Sequence, residues 1–143
     1  MNRKINILLF WCILFFCASE KLFAQDKAEA RYQKGKMTEI SNLLSAEETE
    51  DCTSKRYVGS VAAIQLKSGK VDSFTLKTGK GAVKIYLSPS LYPERLNAND
   101  AKNLTTLVAK GKTVTVDTYV CGASGKIILA MYILAGSQPN ILG

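Results

Sequence analysis

Residues 113–136 read TVTVDTYVCGASGKIILAMYILAG, and this stretch indicates the fold more clearly than any other part of the chain. Two β-rich runs flank GASG, a turn of small residues, so the stretch predicts a β-hairpin. The second run has almost no polar face, although an ordinary surface strand alternates apolar and polar residues. Strict alternation would divide it into two faces, one with Ile127, Leu129, Met131 and Ile133, the other with Ile128, Ala130, Tyr132 and Leu134.

Both faces of this strand need cover, because one fills a core and the other would remain an exposed apolar patch. A contact with another subunit is the direct explanation. The alternative is cover by the N-terminal part of the chain, through Ile40, Leu43 and Leu44.

The chain has 143 residues, which favours one domain, and its first 24 residues have the pattern of a secretory signal peptide. A basic head, MNRK, precedes an apolar run at residues 5–18 that is too short for a membrane span. We expect cleavage after Ala24, with a cut near Ser19 as the alternative. A lipoprotein would use Cys17, but LFFC lacks a small residue before that cysteine. The pattern predicts a secreted or periplasmic protein with no transmembrane segment after cleavage.

Cleavage leaves two cysteines, Cys52 and Cys121. In an oxidising compartment an even pair predicts a disulfide bond, and two buried free thiols are the alternative. Closing a loop of roughly 70 residues would stabilise the fold by about 4 kcal/mol in the chain-entropy model.

Charge is divided unevenly along the mature chain. Residues 25–51 carry four Lys/Arg and seven Asp/Glu, net −3, whereas residues 52–143 carry twelve and four, net +8. A basic exported domain favours anionic partners, which outside the cytoplasm are glycans, lipopolysaccharide or membrane head groups rather than nucleic acid. The alternative is that the charge serves solubility alone.

The pattern of elements predicts a mainly β fold with some helix. Met37, Ile40, Leu43 and Leu44 recur at helical spacing, which predicts a short helix within an N-terminal polar segment, residues 25–51. Three β-rich runs follow from Arg56, then a helix over residues 98–110 capped by Asn97 or Asn99, then the final hairpin. Five short strands with a helix before the fourth predict a five-stranded OB-fold barrel over residues 52–136, and residues 137–143 form a tail.

The sequence contains no histidine, which removes His-based acid–base catalysis, a Ser–His–Asp triad and most zinc sites. The few carboxylates of the strand-rich region show no spacing that places two of them face to face, as a glycosidase needs. We therefore expect no catalytic residues, no metal and no cofactor, and the chain is predicted not to be an enzyme.

Candidate binding residues lie in the loop SPSLYPERLNAND, where Tyr92 stands near Arg95 and Asn97. These residues predict a polar pocket with an aromatic floor, and an ordinary crossing loop with a helix cap is the alternative. The other tyrosines stand at strand positions and are expected to be half-buried in the core. Five lysines in one hairpin region suggest either a solvated face or a polyanion site: Lys67, Lys70, Lys77, Lys80 and Lys84.

The layout resembles the receptor-binding B subunits of pentameric AB toxins: a cysteine before the first strand, a helix before the last hairpin, and a second cysteine at that hairpin's turn. It is similar to the cholera and heat-labile enterotoxin B subunits, and LTTLVAKGKTVTVDTYVCG is similar to a stretch of subtilase-cytotoxin and pertussis-type B subunits. The resemblance implies a homopentamer that binds cell-surface glycan, with a possible separate A-type subunit. It also implies a sugar contact at Lys126, while Ala123 and Ser54 stand where the cholera-type proteins have a tryptophan and an acidic residue.

These patterns together predict an exported, non-enzymatic OB-fold binding subunit that recognises glycan as a homo-oligomer, with Lys126, Tyr92, Arg95 and Asn97 as its ligand-binding residues. The alternative is a monomeric periplasmic OB-fold protein of the envelope or stress type that binds a small ligand, a cation or another protein.

Overall fold

The computed structural model describes residues 27–122 and 127–137. The predicted signal peptide, the predicted turn with Lys126, and the predicted tail beyond Ser137 lie outside the described residues. The described part is mainly β, with seven strands, one short 3-10 helix and one α-helix. The elements are β1 (Glu29–Gln33), β2 (Lys36–Ser41), a 3-10 helix (Glu47–Thr49), β3 (Thr53–Lys67), β4 (Lys70–Thr78), β5 (Gly81–Tyr86), α1 (Ala98–Leu107), β6 (Thr113–Cys121) and β7 (Ile127–Ala135).

Five of the strands form a partly closed ring in the order β3, β4, β5, β7, β6. The long strand β3 pairs with β6 through its first half and with β4 through its second half. β6 pairs with β7 along its whole length, and β4 pairs with β5. The ring closes between β5 and β7 at a single parallel pair, Tyr86 with Leu129. The pairing of β5 with β7 is therefore the shortest strand pairing in the ring.

The β1–β2 hairpin extends this ring into a seven-stranded sheet. β2 pairs with β7 through Glu39 with Leu134 and Ile40 with Ile133. Beyond the strand, the amide of Leu43 donates to the carbonyl of Met131. The hairpin thus occupies the edge of β7 that β5 leaves unpaired, which is the place where the ring is open.

The core lies inside the ring and under α1. Its largest fully buried side chains come from the N-terminal segment, from β3 to β5, from the following loop and helix, and from β7: Ile40, Leu43, Leu44, Val61, Val71, Phe74, Leu76, Ile85, Leu91, Leu104, Val108 and Ile133. The helix contributes Ala101, Leu104 and Leu107 on its buried face and contacts β2 and β4. As the sequence predicts, Asn97 caps it, because its side chain accepts a hydrogen bond from the amide of Asp100 at 2.8 Å.

The predicted N-terminal helix is wrong, because residues 36–41 form strand β2. Tyr32 lies opposite Met37 and Arg31 lies opposite Glu39, so Thr38 is an extra residue in the pairing. A β-bulge of this kind places residues three apart on the same face of a strand. Met37 and Ile40 therefore both point into the core at a spacing that mimics a helical stripe.

The predicted disulfide bond is confirmed: Cys52 and Cys121 are joined. The bond ties the residue before β3 to the last residue of β6, next to the pair Thr53 with Val120. It therefore fixes one end of the pairing between β3 and β6.

The predicted strict alternation along β7 is also wrong in its second half. Asp117 lies opposite Tyr132 and Thr118 lies opposite Ala130, so Met131 is an extra residue. Ala130 and Ile133 are both fully buried, whereas Met131 and Tyr132 are only half-buried. The bulge turns the Tyr132 side chain to the outside of the ring, where it enters the site described next.

Candidate functional site

A groove of about 470 Å³ runs over the outer face of β3, β6 and β7, and we call it the tyrosine groove. Its floor is made by strands, so its side chains are held by the sheet rather than by flexible loops. It is lined by Ser54, Lys55, Arg56, Asp117, Thr118, Tyr119, Met131 and Tyr132.

The polar centre of the tyrosine groove is an ion pair between Arg56 and Asp117, which lie directly opposite each other on β3 and β6. The guanidinium donates to both carboxylate oxygens of Asp117, from Nε at 2.6 Å and from Nη2 at 2.9 Å. These bonds raise the pKa of Arg56 above its ordinary value. The two-bond geometry fixes both side chains and leaves the remaining guanidinium hydrogens to face the groove.

Tyr132 is positioned by a second set of contacts across the neighbouring strands. Its hydroxyl donates to the carboxylate of Glu39 on β2 at 2.5 Å, and the other oxygen of Glu39 lies 3.1 Å from Nε of Arg31 on β1. Burial and this hydrogen bond raise the pKa of Tyr132 to about 12. The hydroxyl is thus engaged by Glu39, and the ring is the part of Tyr132 that the groove can use.

Tyr119 supplies a second aromatic ring next to the ion pair. It lies opposite Ser54 on β3 and Leu129 on β7, two residues after Asp117 and therefore on the same outer face. It is half-buried, and within the described residues its hydroxyl makes no hydrogen bond. The arrangement offers two aromatic surfaces with a fixed ion pair between them.

A second groove, of about 460 Å³, adjoins the first, and we call it the lysine groove. It lies between the first half of β3 and the turn that joins β4 to β5. Lys55 and Arg56 line both grooves, which makes the two surfaces continuous. The lysine groove is lined by Lys55, Arg56, Tyr57, Val58 and residues 78–83.

Tyr92, Arg95 and Asn97, the predicted binding residues of the crossing loop, each make contacts that hold that loop in place. Tyr92 packs against the core, and its hydroxyl donates to the carbonyl of Val71 at 3.0 Å. Burial raises the pKa of Tyr92 to about 12. Asn97 caps α1. Neither Tyr92 nor Asn97 lines the tyrosine groove, and Lys126 lies outside the described residues.

Arg95 joins the crossing loop to the N-terminal segment. Its side chain is 11% exposed and donates to the carbonyl of Asn42 at 2.7 Å and to that of Leu43 at 3.3 Å. Its Nη1 also lies 3.6 Å from the carboxylate of Glu48. Contacts within the fold therefore hold the Arg95 side chain in its position.

Glu48 is the centre of a polar cluster beneath this loop. Burial pushes its pKa upward, but hydrogen bonds from the hydroxyls of Ser88, Ser90 and Ser45 outweigh that effect, and the pKa of Glu48 is lowered overall. The bond from Ser88 is 2.5 Å long and that from Ser90 is 2.7 Å. The cluster keeps the 3-10 helix attached to the crossing loop at neutral pH.

Four of the five lysines of the β3–β5 region lie at the two ends of the β3–β4 hairpin, and the fifth, Lys84 on β5, lies opposite Thr75 on β4. Lys67 and Lys70 lie opposite each other at one end of the β3–β4 hairpin, whereas Lys77 and Lys80 are at the other end. Lys77 is seven residues beyond Lys70 along β4, which corresponds to about 24 Å. Lys80 instead adjoins Lys55 and Arg56 in the lysine groove.

Sequence reasoning missed the tyrosine groove because it treated strand tyrosines as half-buried core. The available signal was the spacing of Asp117 and Tyr119, which are two residues apart on one strand. Val114 and Val116 alternate with them and point into the core, so Asp117 and Tyr119 point outward. The contribution of Tyr132 had no such signal, since it depends on the bulge at Met131.

Within the described residues, no three Cys, Asp or Glu side chains come together as a metal site, and no helix is long and apolar enough to cross a membrane. The chain matches no family model, no curated protein and no solved structure in the comparisons made with it.

Proposed function

We propose that the chain is an exported, non-enzymatic binding subunit built on an OB-type barrel, and that it binds a glycan in the tyrosine groove. The observation that carries the proposal is the pairing of two outward tyrosine rings, Tyr119 and Tyr132, with the fixed ion pair of Arg56 and Asp117. Aromatic rings cover the apolar face of a pyranose, and charged groups in fixed positions hydrogen-bond its hydroxyls.

The strand order supports the barrel part of the proposal. β3, the first strand of the ring, pairs with β4 and β6. β5 pairs with β4 and β7, and α1 lies between β5 and β6 in the sequence. Barrels of this type bind oligosaccharides on exposed strand faces and loops. The Cys52–Cys121 bond supports an oxidising compartment, since such bonds persist outside the cytoplasm.

A glycan array carrying neutral and acidic oligosaccharides tests the function. We expect the oxidised protein to bind a subset of the array, and Tyr119→Ala to weaken that binding about tenfold or more, because buried aromatic anchors carry much of the binding energy. Tyr86→Ala is the matched control, since Tyr86 is a half-buried strand tyrosine that does not line the groove. Binding that Tyr119→Ala leaves unchanged would place the ligand elsewhere, and an empty array would refute the function.

The proposed homo-oligomer rests on the apolar outer face of β7. Ile127, at the start of β7, is 56% exposed, and Leu129 beside it on the same face is only half-buried; neither lines the tyrosine groove. A second copy of the chain packed there would remove these side chains from water. Light scattering of the oxidised protein during size exclusion measures the mass, and about five chains per particle is the expected result.

The second candidate function is that of a monomeric periplasmic barrel protein. The observation that favours it is the pairing of β2 with β7, together with the complete burial of Ile40 and Leu43. The N-terminal segment thus covers part of the apolar strand within one chain. A monomeric mass, with no glycan bound, would favour this second function.

A further inference from the structure

We propose that the lysine groove is a subsite for an anionic group, namely a carboxylate, sulfate or phosphate ester on a sugar adjoining the one in the tyrosine groove. The inference rests on the proposed function and deepens it, because it states that the glycan is acidic and which side chains hold its charge.

The two grooves form one continuous surface. Lys55 and Arg56 line both, and they are consecutive residues of β3, so their side chains point to opposite faces of that strand. Arg56 faces the tyrosine groove, where it binds Asp117. Among the described strands, the first half of β3 pairs with β6 alone, so a sugar chain that leaves the tyrosine groove over the other edge of β3 would meet Lys55 next.

The cations of the lysine groove are not neutralised by the fold. Within the described residues neither Lys55 nor Lys80 forms an ion pair, whereas Arg56 is held by Asp117. The ammonium of Lys55 lies 5.1 Å from the centre of the Tyr57 ring, which holds the side chain over the groove. Two unpaired ammonium groups in a concave surface favour an anion over a neutral group.

The net charge of the surrounding strands also favours the binding of an anion. Residues 53–86 carry seven Lys/Arg and one acidic residue, Asp72. Asp72 lies at the end of the β3–β4 hairpin that is far from the lysine groove, close to the pair Lys67 and Lys70. The potential around the groove is therefore positive.

The test compares one neutral glycan with its charged forms on the wild-type protein and two double variants. The probes are N-acetyllactosamine, its 3′-sialylated form and its 6-sulfated form, together with every pair on the array that differs by a single carboxylate, sulfate or phosphate. Lys55→Ala/Lys80→Ala removes both unpaired ammonium groups. Lys102→Ala/Lys110→Ala is the control, since it removes the same charge from two exposed lysines that line neither groove.

We expect the wild-type protein to bind acidic forms about tenfold more tightly than neutral ones, and the Lys55/Lys80 variant to lose that preference while still binding the neutral form. The preference should fall as salt rises from about 0.05 to about 0.5 M, because salt screens exposed charges. Preference for one charged form would identify the group, and equal preference would indicate recognition of charge alone.

Equal binding of neutral and acidic forms by the wild-type protein would overturn the subsite. The subsite is also overturned if the control variant loses the preference as completely as the Lys55/Lys80 variant. Neither result contradicts the proposed function so long as Tyr119→Ala weakens the binding of glycan. The proposed function fails by a different result, the absence of any bound glycan.

Discussion

Gly59 lies where β3 passes close to the backbone of β4, and we predict that Gly59→Ala strongly destabilises the protein. A Cβ atom at this position would lie 2.2 Å from the carbonyl oxygen of Lys77 and 2.9 Å from its carbonyl carbon. Ordinary contact begins near 3.4 Å, so the strands would have to separate by about 1.2 Å. The obstacle is backbone inside β4 and cannot rotate away, as a flexible side chain would.

The expected loss of stability depends on how far the backbone of β4 must be displaced. Overpacking a close contact costs about 1–3 kcal/mol when side chains can adjust, and here the pairing of Ser60 with Lys77 must be displaced as well. A Gly→Ala change gains back about 0.4–1 kcal/mol by restricting the unfolded chain. We expect a net loss of about 2 kcal/mol in the free energy of unfolding, measured by urea titration followed by circular dichroism.

Gly79→Ala is the matched control for this prediction. Gly79 is in the turn between β4 and β5, and an added Cβ there would meet nothing within 4 Å. We expect this variant to match the wild type or to be slightly more stable. If Gly59→Ala unfolds within about 0.5 kcal/mol of Gly79→Ala, the close approach of β3 to β4 is wrong. The ring would then be more open than described.

Three further predictions concern the bonds that hold the sheet and the helix. Cys52→Ser/Cys121→Ser should lower the free energy of unfolding by about 4 kcal/mol, because the bond joins residues 69 positions apart; a loss below about 1 kcal/mol would contradict this. The pKa of Tyr132 in the folded protein, about 12, exceeds its ordinary value of 10.0, so its contribution to stability should be intact below pH 10 and disappear as the pH rises towards 12. Urea midpoints across this range should fall less steeply in Tyr132→Phe, and equal slopes would show that the hydroxyl is not engaged. Asn97→Ala should cost about 1 kcal/mol in thermal unfolding, while the neighbouring Asn99→Ala should cost less, because only Asn97 accepts the bond from the helix amide.

The order of strands and helix after Arg56 was predictable because each element carries its own local signal. Glycine turns separate alternating runs, and Asn97 stands where an N-terminal cap belongs. The N-terminal segment was not predictable in the same way. A bulge at Thr38 gives Met37 and Ile40 a helical spacing, and a bulge depends on pairing with β1, which the pattern along β2 does not encode.

The predicted site residues and the tyrosine groove lie in different parts of the chain for a related reason. Tyr92, Arg95 and Asn97 are polar or aromatic residues in a loop, which is typical of binding residues, yet each has a partner within the fold. The tyrosine groove instead depends on residues from β3, β6 and β7 that are adjacent only through strand pairing. Residues separated by more than 60 positions, such as Arg56 and Asp117, cannot be recognised as neighbours from local spacing.

The pairing of β7 with three other strands also determines the order in which the protein can fold as it emerges from the ribosome or from a membrane channel. Because β7 spans residues 127–135, β2 and β6 lack this one of their two partner strands until residue 135 has emerged. During that time Met37 and Ile40 are not yet buried against the rest of the sheet. Such long-range pairing folds slowly and exposes apolar strands to aggregation, so a chaperone that binds the early hairpin would act before β7 arrives.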